Sequence, residues 1–210
     1  MPQPANPAFG ATLRVAFVVG VTPGKWAKVW AERMPRTYLE LLPCSVADAL
    51  DGVETGSVDA ALVRMPLDRD GFSSIPLYTE LSVVVVPKDH AIEALDSVVM
   101  SELADETSVP GQWPAAVELI ATGAGIAVMP QSVARALSRR DVVARPVSDG
   151  PETRVALVWL ATTDSELVEE FIGIVRGRTA NSSRGTQPVP EKKPKPTKSR
   201  APDRRPSRRR

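Results

Sequence analysis

The feature that most limits what this chain can become is an alternation of two periodicities over residues 12–63. TLRVAFV (12–18) is a short, largely apolar run and reads as a buried strand. Thr22 is placed to cap a helix that follows, Pro23 suits a first helical position, and Trp26, Val29 and Trp30 fall on one face. TYLELL (37–42) is a second strand. Ser45 then caps a helix in which Val46, Ala49, Leu50 and Val53 recur at helical spacing, with Asp48 where a capping-box acid stands and Gly56 at the end. VDAALV (58–63) is a third strand. The order β-α-β-α-β demands a parallel sheet with helices on its faces.

Further on, LSVVVV (81–86) is apolar, β-branched and stopped by Pro87, the mark of a central strand. A weak helix near 100–105 and an irregular SVPGQWP precede a helix at 115–122, a strand at 125–129 and a helix at 131–138. Strands at 142–147 and 154–160 follow, then a helix over 164–178 with acids near its start and arginines near its end, as the helix dipole prefers. Gly123-Ala124-Gly125 raises the question of a nucleotide cofactor. A dinucleotide fingerprint runs strand, glycines, helix; here the order is helix, glycines, strand, and position 128 is Val. Gly123 is better read as the residue that ends the helix, and Gly125 as a close approach of the next strand to its neighbours. No cofactor is expected.

Charge divides the chain. Residues 182–210 carry 11 Lys/Arg against Glu191 and Asp203, a net of +9, and six prolines with hardly an apolar side chain; the rest carries 15 Lys/Arg and 23 Asp/Glu, a net of −8. Such a tail cannot bury enough apolar surface to offset chain entropy, so residues 179–210 are expected to be disordered, as are residues 1–12. Lys192, Lys193, Lys195, Lys198, Arg200, Arg204, Arg205, Arg208, Arg209 and Arg210 would attract nucleic acid without reading its sequence. An acidic partner, an anionic membrane surface or self-screening of the globule would suit the same composition. One cysteine excludes an internal disulfide and a cysteine-based zinc cluster, one histidine excludes a histidine-based metal site, and no apolar run approaches the length of a membrane span. No secretory leader is visible, and a cytoplasmic location is expected.

Five segments taken in order carry a resemblance: LRVAFV with its Thr-Pro helix start, GSVDAALVRMP, IPLYTELSVVVVPKDH, VELIATGAGIAVMPQSVA, and VVARPV followed by RVALVWL. Together they resemble the effector-binding (substrate-binding) domain of LysR-type transcriptional regulators, over about residues 13–178. The resemblance implies an α/β fold like that of periplasmic binding proteins, with mostly parallel sheets in two lobes joined by two crossing strands. Lobe I would comprise residues 13–84 plus 161–178, and lobe II residues 88–153. A small, anionic effector would sit between them, and the domain would form a homodimer. Two departures stand out. Only 12 residues precede the first strand, too few for the family's helix-turn-helix, and residues 105–117 make the second lobe short.

The resemblance places effector contacts at Thr22 and Ser45. Each hydroxyl also has an ordinary role as a helix cap. Arg64 follows the third strand at the carboxyl end, where open sheets bind ligands, and its guanidinium can hold a carboxylate by two parallel hydrogen bonds. An ion pair between the lobes is the competing role. Trp113 could wall the cleft or simply pack. Lys25 reads as a solvated lysine, His90 as a surface turn, Cys44 as buried packing, and Glu169-Glu170 as a helix exterior. No catalytic constellation is present, so a non-enzymatic effector sensor without its own helix-turn-helix is expected. The alternative is an accessory protein with a degenerate cleft and a nucleic-acid-binding tail.

Overall fold

A computed structural model describes residues 10–178 of the chain. Of the termini expected to be disordered, residues 1–9 and 179–210, with the basic run from Lys192 to Arg210, lie outside the described residues, whereas Ala11 and Thr12 are already part of the first strand.

The alternation of residues 12–63 folds as its periodicity demands. β1 (Ala11–Val18), α1 (Gly24–Arg33), β2 (Thr37–Cys44), α2 (Val46–Thr55) and β3 (Ala60–Met65) follow one another, with β1 parallel to both β2 and β3. Trp26 and Trp30 of α1 are buried, and Trp30 meets Phe171 edge-on with ring centroids 5.9 Å apart. Ser45 caps α2: its hydroxyl accepts from the Asp48 amide at 3.1 Å and donates to the Asp48 carboxylate at 2.7 Å. Gly56 takes the left-handed conformation that ends the helix. The expected cap at Thr22 is not formed. Pro23 already has helical φ and ψ and occupies the N-cap, so Thr22 lies one residue outside the helix.

β4 (Phe72–Glu80) is a separate strand that its own pattern does not announce, since Pro76 and a register shift between Pro76 and Tyr78 interrupt it. It lies at the sheet edge, where a proline costs no ladder bond. β8 (Thr153–Leu160) returns antiparallel between β3 and β4, giving the order β2-β1-β3-β8-β4. α5 (Glu166–Val175) packs on α1, with Val168, Phe171, Ile172 and Ile174 buried.

The second sheet has three strands in the order β6-β5-β7, namely β6 (Ala127–Pro130), β5 (Ser82–Pro87) and β7 (Val142–Pro146), both pairs antiparallel. Parallel pairing, expected to dominate both sheets, is therefore found between strands only in β2-β1-β3, with single parallel bridges at Val98–Val147 and Ser108–Ile126. The smaller sheet is antiparallel at both its pairings, and in the larger one β8 runs antiparallel to both β3 and β4. The valines of β5 alternate: Val83 and Val85 face α3 (Trp113–Ala121) and α4 (Gln131–Ala136), while Val84 and Val86 face Ile92, Val98 and Leu103. That double burial explains the unbroken apolar run. Ile92 and Leu103 belong to short 3-10 turns at Ala91–Ala94 and Met100–Leu103, the second replacing the weak helix expected there.

The glycine pair behaves as the reversed order predicts. Gly123 follows α3 with positive φ, and its amide donates to the Ile120 carbonyl at 2.9 Å. At Gly125 a Cβ would stand 2.1 Å from the Thr107 carbonyl oxygen. Only a residue without a side chain lets this strand approach Thr107 so closely.

Candidate functional site

Two segments connect the sheets. Between β4 and β5 only Leu81 intervenes, and between β7 and β8 residues 147–152 do. They are stitched together, since the Ser82 hydroxyl donates to the Pro151 carbonyl and the Val147 amide to the Ser82 carbonyl at 3.1 Å. At this crossing β3 delivers Arg64, β4 ends at Glu80, and α4 presents Ser132.

Arg64 is 7% exposed, and its guanidinium reaches three parts of the molecule at once. Nε donates to Glu80 Oε2 at 2.7 Å, one terminal nitrogen to the Val19 carbonyl at 2.8 Å, and the other to Ser132 Oγ at 2.9 Å. The Ser132 hydroxyl donates in turn to the second oxygen of Glu80, so the acid is held at both oxygens. The Trp113 ring lies 5.3 Å from the guanidinium carbon and supplies an aromatic face for the cation. Glu80 is as buried as Arg64. A buried ion pair tolerates loss of water only when its remaining donors and acceptors are met, and here each guanidinium nitrogen has an acceptor and each Glu80 oxygen a donor. No buried side-chain nitrogen or oxygen among the described residues is left without a partner.

The loop after β1 completes the contact. Val19 packs with the apolar cluster of the smaller lobe. Gly20, at φ +86, lies so near α4 that a Cβ would stand 2.7 Å from Ser132 Oγ and 2.8 Å from the Val133 amide nitrogen.

Of the four residues expected at the cleft, the structure brings Arg64 and Trp113 together across the seam. Thr22 follows the same loop, is exposed, and its hydroxyl bonds to no other described residue. Ser45 is exposed at the start of α2 and is engaged with Asp48. Lys25 is not simply solvated: its ammonium lies 4.5 Å from the Trp26 ring centroid and 5.8 Å from that of Tyr78. Burial first, and then the Glu80 carboxylate, hold the Tyr78 phenol above its ordinary pKa, while the Arg64 guanidinium pulls it down.

Glu80, Ser132, Val19 and Gly20 were not legible as site residues. The signal for Glu80 was an acid placed directly before an apolar β-strand, in TELSVVVV, where a charge has no place unless it is paired. His90 caps the first 3-10 turn, its Nδ1 accepting from the Ile92 amide, with Nε2 3.4 Å from Glu106. Burial raises the pKa of Cys44, and Asp48 adds to the rise, the opposite of an activated thiol. An open pocket at the far end of β5, lined by Pro87, Lys88, Asp89, Arg139, Arg140 and Asp141, shares no residue with the Arg64 cluster. Among the described residues no group of three His, Cys, Asp or Glu could hold a metal ion, and no helix is long and apolar enough to cross a membrane.

Comparison with known proteins gives a consistent result. The sequence profile of the LysR substrate binding domain matches residues 9–109 and 110–180. A probable hydrogen peroxide-inducible genes activator of Mycobacterium xenopi is 32% identical over 62 residues, covering 30% of this chain and 33% of that protein. The Hca operon transcriptional activator HcaR of Escherichia coli is 23% identical over 180 residues, covering 71% and 60%. The chain thus spans no more than about three fifths of these relatives. Among solved structures, the BenM effector binding domain with its effector benzoate superposes with a TM-score of 0.66 at 17% identity, covering 80% of this chain and 91% of that one.

Proposed function

The chain belongs to the LysR substrate-binding domain family, and we propose that it is the effector-sensing unit of a transcriptional regulator rather than an enzyme. In this reading a small anionic molecule enters the seam beside Thr22 and Arg64, with Trp113 as an apolar wall. Its binding shifts the balance between arrangements of the two lobes, and a homodimer transmits that shift to the transcription machinery. The observation that carries the reading is Arg64. One buried cation bonds within the larger lobe, to Val19 and Glu80, and across the seam to Ser132 of the smaller one. A ligand that alters its bonding has a direct mechanical effect on both.

The test is a thermal-shift screen of the full chain against small organic acids. Benzoate comes first, because the similar BenM domain binds it as its effector. A ligand selective for the folded state raises the midpoint with concentration, and Arg64→Ala is expected to abolish the rise. A screen that raises nothing favours a second reading, an accessory protein whose cleft has lost its ligand. That reading has its own support, since Val19, Gly20 and Glu80 already fill the space around the guanidinium. The basic residues from Lys192 to Arg210 would add a non-specific contact with nucleic acid. Equal affinity for duplex DNA with and without residues 182–210, at low salt, removes that contact.

A further inference from the structure

The guanidinium of Arg64 is engaged by protein on every side. Glu80 takes its Nε, Val19 and Ser132 take its terminal nitrogens, and Trp113 covers its face. The two oxygens of Glu80 are likewise divided between Arg64 and Ser132. Val19, in the loop after β1, and Glu80, at the end of β4, belong with Arg64 to the larger lobe, and Ser132 stands on α4 in the smaller lobe. The bonds that close the seam are therefore the two to Ser132, from Arg64 and to Glu80, and breaking them on opening would leave a charge and a hydroxyl to be resolvated. Gly20 shows that the backbone has been shaped for it, because a single added carbon would collide with Ser132 and Val133.

We propose that Arg64, Glu80 and Ser132 form a latch that holds the two lobes together, with Glu80 as a built-in carboxylate that an acidic effector displaces from Arg64. Effector binding and unlatching are then one event. The incoming carboxylate takes over the two parallel donors, Glu80 is released with its strand end, and Ser132 loses both its partners. An effector without an anionic group leaves the latch closed. The displacement rests on the effector reading above; the latch itself does not.

The experiment uses the full chain with Cys44→Ser and spin labels attached through Ala47→Cys on the larger lobe and Ala104→Cys on the smaller, both exposed positions. The parent is expected to give one narrow interlobe distance. Glu80→Gln and, as a second variant, Ser132→Ala are expected to give a longer and broader distribution, while Glu32→Gln, the same charge change on an exposed helix position, gives the parent's. Distributions identical to the parent in both latch variants overturn the latch. Benzoate titration then reads the displacement: at least tenfold tighter binding to Glu80→Gln than to the parent supports it, and equal affinities overturn it. If no acid of the screen, benzoate included, binds either form, both the displacement and the effector reading are overturned, while the label distances still decide the latch.

Discussion

The two lobes solve the same problem with unequal means. The larger encloses one continuous core in which Trp26, Trp30 and Phe171 fill the space between α1, α5 and a five-stranded sheet. The smaller has three strands and splits its buried residues into two thin aliphatic clusters, one on each face of β5. Aromatic side chains bury the most surface per residue, and the larger lobe holds three of them in its core. The smaller one depends on β5 being covered from both sides and on what ties it to its neighbour. The buried ion pair lies on the larger lobe's side of the seam and offers the smaller lobe a polar anchor at Ser132. That anchor stands beside the apolar packing of Val19 against the smaller lobe's cluster.

That contrast can be broken by truncating each core. Trp30→Ala removes a fully buried ring from the larger lobe and is expected to cost ~3–5 kcal/mol of global stability, read by denaturant unfolding. Ile120→Ala on α3, also fully buried, is expected to cost ~2–5 kcal/mol, at the low end of that range because a thin cluster collapses more readily. Hydrogen exchange separates the two. With Ile120→Ala, protection should fall first in β5, β6 and β7 while β1, β3 and β8 keep theirs. Equal loss in both sheets would show that the lobes unfold as one unit.

Smaller effects sharpen the comparison. Gly20→Ala forces a side chain into a left-handed position against α4 and is expected to cost ~1–3 kcal/mol, appearing as a loosened seam with both cores intact. Ser45→Ala removes the cap of α2 on the larger lobe, a residue with no bond to the Arg64 cluster, and should cost ~1 kcal/mol by the same unfolding measurement. Least of all, Cys44 should react with iodoacetamide more slowly in the folded chain than in the unfolded one. Its pKa is raised by burial, so the thiolate is the disfavoured form, and the difference should shrink as pH rises through the folded value.

Much of the fold is legible in the sequence because its signals are local. Strand and helix periods over residues 12–63, the Ser45 cap, the Gly56 and Gly123 helix ends and the four valines of β5 each follow from neighbours a few residues away. β4 escapes because its role is set by the strand it pairs with. The site was legible in part. Arg64 and Trp113 announce themselves by type and position, yet neither one's partner lies near it in the chain, with Glu80, Ser132 and Val19 standing 16, 68 and 45 residues from Arg64.

By itself, then, the sequence determined most of the strands and helices, and the parallel β-α-β-α-β layering of residues 12–63. Backbone conformation and side-chain periodicity act over a few residues, and those are written in order along the chain. Only the tertiary structure decided that β4 and β8 run antiparallel and that Thr22 stands free of its helix. It alone paired Arg64 with a carboxylate of its own chain. The physical reason is that long-range pairing depends on which buried charges meet once the chain has closed, and a charge shows its partner only when water has been removed from between them.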